Sequence, residues 1–433
     1  MTQTAVTREE VLQFHIGGKV GLALPRPVRT PRDLCLAYTP GVAMAVKEVA
    51  AHPGRSFDIT ARANLVAVVS DGTAILGLGD LGALASVPVM EGKAVLFKSF
   101  GDVDGWPVPL ARCRKGGQDT GPTDPQRVID CVAALAPMYG GINLEDIAAP
   151  ACFEIEDRLD ALLDIPVFHD DQWGTAVITL AGLMNYARLA DRRLNDLRVV
   201  INGAGAAGIR IADMCKAAGV RDLVICDTRG TVRSERTDLN DHKRRHAAAT
   251  RARTLAEALA GAHVFIGVSA ADCLSGEAVK SMASCPAIFA MANPDPEIRP
   301  EVVAEALAGK PYVMATGRSD YANQINNVLG FPFLFRGALD VRARTINTAM
   351  KVAASEALAS LARQPVPPDV QALYPHETLA FGSGYIIPKP FDRRLFVEIS
   401  FAVARAAVES GAAPALDLAA LRTRLERRNV ERG

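Results

Sequence analysis

Along the middle of the chain, short apolar runs closed by turn residues alternate with longer stretches of helical spacing. Residues 65–69, 94–97, 165–168, 197–202, 223–227, 264–267 and 287–290 read as buried strands, the first of them ending at Ser70-Asp71-Gly72. Residues 126–138 carry apolar positions at three- and four-residue intervals until Gly140-Gly141, which predicts a helix stopped by glycine. Residues 175–189 and 209–218 predict two more helices, the first of them joining two domains. Strands alternating with helices predict an α/β fold with a parallel, doubly wound sheet. From Thr345 onward the chain is alanine-rich and helical, broken at Gln364-Pro365-Val366-Pro367-Pro368. The charged stretch from Arg422 to Arg432 reads as a solvated helix end.

Length changes this picture by requiring more than one domain, since 433 residues exceed one ordinary core. Charge removes some partners. Lys plus Arg and Asp plus Glu both number 48, so no net field draws nucleic acid or an anionic membrane. Eight scattered cysteines with no Cys-x-x-Cys pair suit a reducing compartment, and residues 1–10 lack the apolar core of a signal peptide. No run of about 20 apolar residues free of charge appears. The expectation is a cytoplasmic protein with no membrane and no nucleic-acid partner.

Candidate chemistry begins at Gly203-Ala204-Gly205-Ala206-Ala207-Gly208, which follows a predicted strand and opens a predicted helix. In that context Gly203 permits the tight turn, Gly205 lets backbone approach a pyrophosphate, and Gly208 allows close helix–strand packing, with Ala206 and Ala207 between them. The helix start offers unpaired N–H groups to phosphate. Asp227 ends the next strand where a ribose-binding acid is expected, which favours NAD. Arg229 and Arg233 follow closely and favour the 2′-phosphate of NADP. The run His242-Lys243-Arg244-Arg245-His246 reads as a solvated face. Either dinucleotide remains open, and the density of basic residues tilts the reading to NADP.

Two acidic pairs, Glu145-Asp146 and Asp170-Asp171, follow strand-like runs. Each pair alone reads equally as a helix cap or surface turn; together, upstream of a dinucleotide fold, they offer the carboxylate oxygens that Mg²⁺ or Mn²⁺ requires.

The residues 37–43 (Ala-Tyr-Thr-Pro-Gly-Val-Ala), 80–82, 90–98 (Met-Glu-Gly-Lys-Ala-Val-Leu-Phe-Lys), 141–147 and 168–172 (Phe-His-Asp-Asp-Gln) resemble motifs of the malic enzyme family, in the family's order. So do 292–294, 316–321, 323–327 and 385–392, and the resemblance runs from about residue 10 to 410. It implies an amino-acid-dehydrogenase-like N-terminal α/β domain (residues 1–170) and a Rossmann-type domain (171–433) whose last helices pack back on the first. The site would lie in the cleft between them. It implies oxidative decarboxylation of L-malate to pyruvate through metal-bound oxaloacetate, with NAD or NADP and Mg²⁺ or Mn²⁺, in a homodimer or higher homo-oligomer. The length resembles the short bacterial form. Tyr38 and Lys93 match the catalytic tyrosine and lysine; Glu145, Asp146 and Asp171 match the metal ligands. Asn293 matches an asparagine near the nicotinamide, and Asn326 and Asn327 match the substrate-side asparagines. Lys93 would need a lowered pKa to act as base. Competing readings are a malolactic enzyme that keeps its cofactor and a metabolite-binding relative without turnover.

Four departures accompany the resemblance. Trp173 stands where relatives have His, Phe333 replaces a glycine, Ala74 replaces an arginine of larger members, and residues 111–122 form an insertion that reads as a surface loop.

Overall fold

The computed structural model describes residues 6–118 and 120–432; residues 1–5, 119 and 433 lie outside it. Three N-terminal helices, α1 (Arg8–His15), α2 (Pro31–Ala37) and α3 (Val42–Ala51), contain no buried residue. Among the described residues, Pro31–Ala51 is the stretch that matches a membrane span by length and mean hydropathy (21 residues, 1.2). It is split into two helices at residues 38–41 and carries Arg32, Asp33, Lys47 and Glu48.

The first sheet comprises β1 (Leu65–Ser70), β2 (Asp104–Pro109), β3 (Gly141–Leu144) and β4 (Val167–His169), parallel throughout and ordered β2-β1-β3-β4. Helices α4 (Gly82–Gly101), α5 (Pro125–Leu135) and α6 (Ala151–Leu162) supply the crossovers. A π-helical turn, Asp170–Gly174, leads into α7 (Thr175–Leu189). The second sheet runs β10 (Val313–Thr316), β9 (Ala287–Ala290), β8 (Val264–Gly267), β5 (Arg198–Asn202), β6 (Asp222–Asp227), β7 (Gly230–Thr231), parallel except for the edge strand β7. Helix α8 (Ala206–Ala217) follows β5. The doubly wound reading therefore holds for both sheets.

One predicted strand is a helix. Residues 94–97 lie inside α4, whose buried residues Met90, Ala94, Phe97 and Gly101 recur at three- and four-residue steps. A four-residue apolar run fits either period, and here the flanking residues extend the helical stripe. The predicted strand at this place in the sheet is instead β2, which holds Pro107 and Pro109 and sits at the edge, where missing N–H donors are tolerated.

Four longer C-terminal helices complete the fold, with a short one at Pro368–Ala372 among them: α9 (Phe331–Asp340), α10 (Thr348–Ala362), α11 (Arg394–Glu409) and α12 (Leu418–Glu431). Helix α9 packs on the first sheet's layer. Phe97 meets Phe331 and Phe335 edge-on at 4.7 and 5.2 Å, and Phe335 meets Phe168 at 5.9 Å. Such pairs add about 0.5–1.5 kcal/mol each beyond burial. The C-terminal residues thus finish the core that the N-terminal sheet starts. Phe333, one of the departures, is buried in this helix.

Candidate active site

Strands β1, β3 and β4 all point their C-terminal ends the same way, and each hands over an acidic turn. The chain reverses its direction of strand addition at β1, which makes this edge a switch-point crevice of the kind ligands occupy. Glu145 keeps strand pairing for one residue past β3, donating its N–H to Val69 at 2.8 Å. Asp146 then turns out of the sheet in a left-handed conformation, φ 53°. Its N–H donates to the Asp171 carboxylate at 2.8 Å, and its carbonyl accepts from Ala74 at 3.0 Å. The π-turn brings Asp171 across to meet it. Gly174 is required within that turn, because a Cβ there would lie 1.9 Å from the Asp170 carboxylate.

Glu145, Asp146 and Asp171 each place a carboxylate oxygen within 4.8 Å of the other two. Their crowding is unfavourable without a cation. Burial and the neighbouring Asp171 push the Asp146 carboxyl up to about 7, and burial raises Glu145 well above its ordinary value. One Asp146 oxygen is buried with no hydrogen-bond partner. Hard oxygen ligands, mutual repulsion and an unsatisfied acceptor suit Mg²⁺ or Mn²⁺. The residues fit the metal.

Lys93 reaches this cluster from α4. Its Nζ lies 2.8 Å from Glu145 and 2.6 Å from Asp170, and 4.2 Å above the Phe331 ring. Burial by itself lowers the amine's pKa, but the charges of Asp170 and Glu145 outweigh burial and hold it above the ordinary lysine range. The expected lowering of Lys93 is therefore not met in the metal-free arrangement. Asp170, offered by the sequence as half of an acidic pair but given no role by the family resemblance, is fully buried and accepts from both Lys93 and the Asn327 amide, the latter at 3.0 Å. Its signal was its place beside Asp171 in the same turn.

The remaining sequence-predicted residues divide. Asn327 joins the cluster through Asp170. Asn326 spends its side-chain oxygen capping the turn at Val328, 3.0 Å away. Asn293 is exposed on the loop after β9, beside Gly317 at the end of β10. Tyr38 ends α2 and is 68% exposed. Trp173 turns inward. Its Nε1 donates to Glu156 at 2.9 Å, Lys351 sits 3.5 Å over its ring, and Glu156 in turn accepts from the His169 N–H. The Trp thereby pins the turn that carries Asp170 and Asp171.

The second sheet faces this edge with its glycine turn. Gly208 is forced by packing, since a Cβ would come 1.8 Å from the Gly203 carbonyl, whereas Gly205 faces open space. Ala206 and Ala207 begin α8, leaving that helix's first N–H groups available to an anion. Arg210 on α8 donates to Gln172 of the π-turn at 2.8 Å, tying the helix after the glycine turn to the turn that carries Asp170 and Asp171.

Asp227 sits at the end of β6, as expected, but its oxygens are occupied. Arg236 donates to both, at 2.8 and 3.1 Å, and Lys243 to one at 2.7 Å. Burial opposes ionisation of Asp227, yet these donors and the Arg229 N–H hold its carboxyl down at about 2. Arg229 itself pairs with Asp238 at 2.8 Å. The run 242–246 is not simply a solvated face: Lys243 binds Asp227, His242 stacks on Phe153 at 4.2 Å, and His246 lies 3.0 Å from Asp213. Arg236 escaped sequence reasoning because it lies nine positions beyond Asp227, past β7.

Comparison with known proteins agrees with this construction. Residues 19–160 match the family description "Malic enzyme, N-terminal domain" and residues 173–379 match "Malic enzyme, NAD binding domain". The chain is 54% identical to an "NADP-dependent malic enzyme" of Rhizobium meliloti, over 98% of this chain and 55% of that one, so it spans about half of that relative's length. It is 50% identical to an "NADP-dependent malic enzyme" of Halomonas elongata, over 95% of this chain and 96% of that one. The solved structure of a malic enzyme from Pyrococcus horikoshii superposes with a TM-score of 0.85 at 38% identity, covering 98% of this chain and 99% of the other. On these matches, and with the carboxylate cluster and glycine turn in place, the chain belongs to the malic enzyme family.

Proposed function

We propose that this protein oxidatively decarboxylates L-malate to pyruvate and CO₂, reducing NADP in preference to NAD, in the cytoplasm. The observation that carries the reading is Lys93 held between Glu145 and Asp170 inside a three-carboxylate cation site, tied by Arg210 to a dinucleotide turn. Glu145, Asp146 and Asp171 would hold the divalent cation, and the two domains would divide at residues 170/171. When bound, the cation supplies Lewis acidity at the malate C2 oxygen and the dinucleotide takes up the hydride.

The chain's own residues do the rest. Lys93 accepts the C2 hydroxyl proton. Two of the carboxylates that keep Lys93 charged, Glu145 and Asp171, are ones a divalent cation would claim, so cation binding favours loss of the Lys93 proton. Asn327 and Asp170 hold the amine in place. Tyr38 would protonate C3 after CO₂ leaves. Since Tyr38 is exposed and α1–α3 bury nothing, we place it in a homodimer, with the bare apolar faces around Leu34, Leu36, Val42 and Val46 covered by a second copy. All eight cysteines are free, as a reducing compartment requires.

The test is absorbance at 340 nm with purified protein, L-malate and Mn²⁺. A metal-dependent rise with stoichiometric pyruvate supports the reading. Lactate without net NADPH, or no turnover in folded protein, overturns it.

Cofactor choice has its own test. An acid at the end of β6 ordinarily accepts the ribose 2′-OH and repels a 2′-phosphate. Here Asp227 is neutralised by Arg236 and Lys243, which turns the position into a cationic seat. Replacing Lys243 by Ala is expected to weaken binding of 2′,5′-ADP about tenfold or more while leaving 5′-AMP unchanged, read by isothermal titration; charge-assisted bonds are worth about 1.5–3 kcal/mol. Equal losses for both ligands would refute the assignment.

A further inference from the structure

The insertion at residues 111–122 is not a surface ornament. Arg114, within it, is 2% exposed. Its guanidinium donates to the Asp71 carboxylate at 2.5 Å, to the Asp71 carbonyl at 2.8 Å and to Asp80 at 2.9 Å. Thr123, just past the insertion, donates to the same Asp71 oxygen at 2.5 Å. The insertion closes on itself below this point, through the Lys115 N–H to the Pro122 carbonyl and the Asp124 N–H to the Cys113 carbonyl.

Asp71 opens the turn after β1, and what it holds leads directly to the cation ligands. Its other oxygen accepts from both the N–H and the hydroxyl of Thr73, at 3.1 and 2.6 Å. The Thr73 hydroxyl oxygen accepts the Ala148 N–H at 2.9 Å, so it fixes the far side of the loop that carries Glu145 and Asp146. The next residue, Ala74, donates to the Asp146 carbonyl, and the Leu76 N–H approaches the Asp146 carboxylate at 3.4 Å. Asp146 is in the left-handed region, which aspartate reaches more readily than most residues, and its surroundings hold it there. Those surroundings are the 71–76 turn, and the 71–76 turn is held by Arg114.

We propose that Arg114 is a positioning residue for the cation site, acting through Asp71 and Thr73 on the geometry of Asp146. The inference rests on the cation site of the proposed function. Partners that touch a metal ligand directly typically contribute about 10–100-fold in metal affinity, and Arg114 acts one step beyond them. Arg114 makes no recorded contact with Glu145, Asp146, Asp171 or Lys93, so the effect travels through backbone placement.

The experiment measures Mn²⁺ affinity by electron paramagnetic resonance, without substrate, in wild type, Arg114→Ala, Arg114→Lys and Thr123→Val. Thermal midpoints of the metal-free proteins are recorded beside it. The expected result is a Kd weakened about three- to tenfold in Arg114→Ala, below the effect of a group bonded to a ligand, recovered in part by guanidinium ion, with smaller losses in the other two. Should Arg114→Ala fail to fold, Arg114→Lys and Thr123→Val decide the question. Folded variants that bind Mn²⁺ as tightly as wild type, or an affinity loss that guanidinium leaves untouched, would overturn the inference. Wild type that binds no Mn²⁺, or binds it equally after Asp171→Asn, would instead sink the cation site itself.

Discussion

Replacing Lys93 by Met is expected to lower kcat for malate oxidation by about 10²–10⁴-fold, the usual worth of a positioned acid–base group. The substitution keeps length and apolar contact with Phe331 while removing the amine that sits between Glu145 and Asp170. Two opposed consequences separate this residue from a merely structural one. Without the ammonium, the buried carboxylates lose their internal counter-charge, so the metal-free protein is expected to melt earlier. For the same reason Mn²⁺ binding should hold or tighten, because the cation then replaces the lost charge. Steady-state kinetics with a Mn²⁺ titration reads both. A kcat loss that tracked a loss of Mn²⁺ affinity would show that Lys93 acts only by shaping the cluster.

Removal of a ligand gives the second large effect. Asp171→Asn is expected to abolish measurable Mn²⁺ binding at the site and to cut turnover about 10²-fold or more, since Lewis-acid stabilisation is worth several kcal/mol and each 1.36 kcal/mol is a factor of ten. The metal-free protein should respond in the opposite sense. Three carboxylates within 4.8 Å repel one another, and one fewer charge relieves that repulsion. The pH dependence carries the same sign. Asp146 has its folded pKa pushed up to about 7, above the ordinary carboxyl value, by burial and by Asp171. The folded state therefore holds a proton that the unfolded state has lost, and the stability tied to that proton is present at low pH and lost as pH rises through about 7. The thermal midpoint of metal-free wild type should fall between pH 5 and pH 7.5. Added Mn²⁺ should reverse the fall, and Asp171→Asn should flatten it. A midpoint that rose with pH over this window would contradict the charge crowding on which the site depends.

Much of this was written in local sequence. The glycine turn lies within six residues, between a β-period strand and an α-period helix, so its chemistry needs no long-range contact to be read. The paired acids at 145–146 and 170–171 are likewise local, as are the runs that form β1, β4, β5, β6, β8 and β9. The family resemblance rested on such short motifs and supplied the roles of Lys93 and the three ligands.

What the tertiary structure decided is of another kind. Residues 94–97 could be strand or helix until packing against Phe331 and Phe335 of α9, more than two hundred residues away, fixed the helix. Asp170 became a partner of Lys93 because the π-turn carries its buried carboxylate to within 2.6 Å of the amine. The Asp227 carboxylate is occupied because Arg236 and Lys243 fold back over it. Arg114 moved from a presumed surface loop into a buried network. In each case a charge or an apolar ring found its partner across a long stretch of chain, and sequence spacing carries no record of which distant group compensates which. Local backbone preference and periodicity settle what an element is; burial, which must satisfy every charge at once, settles what its side chains face.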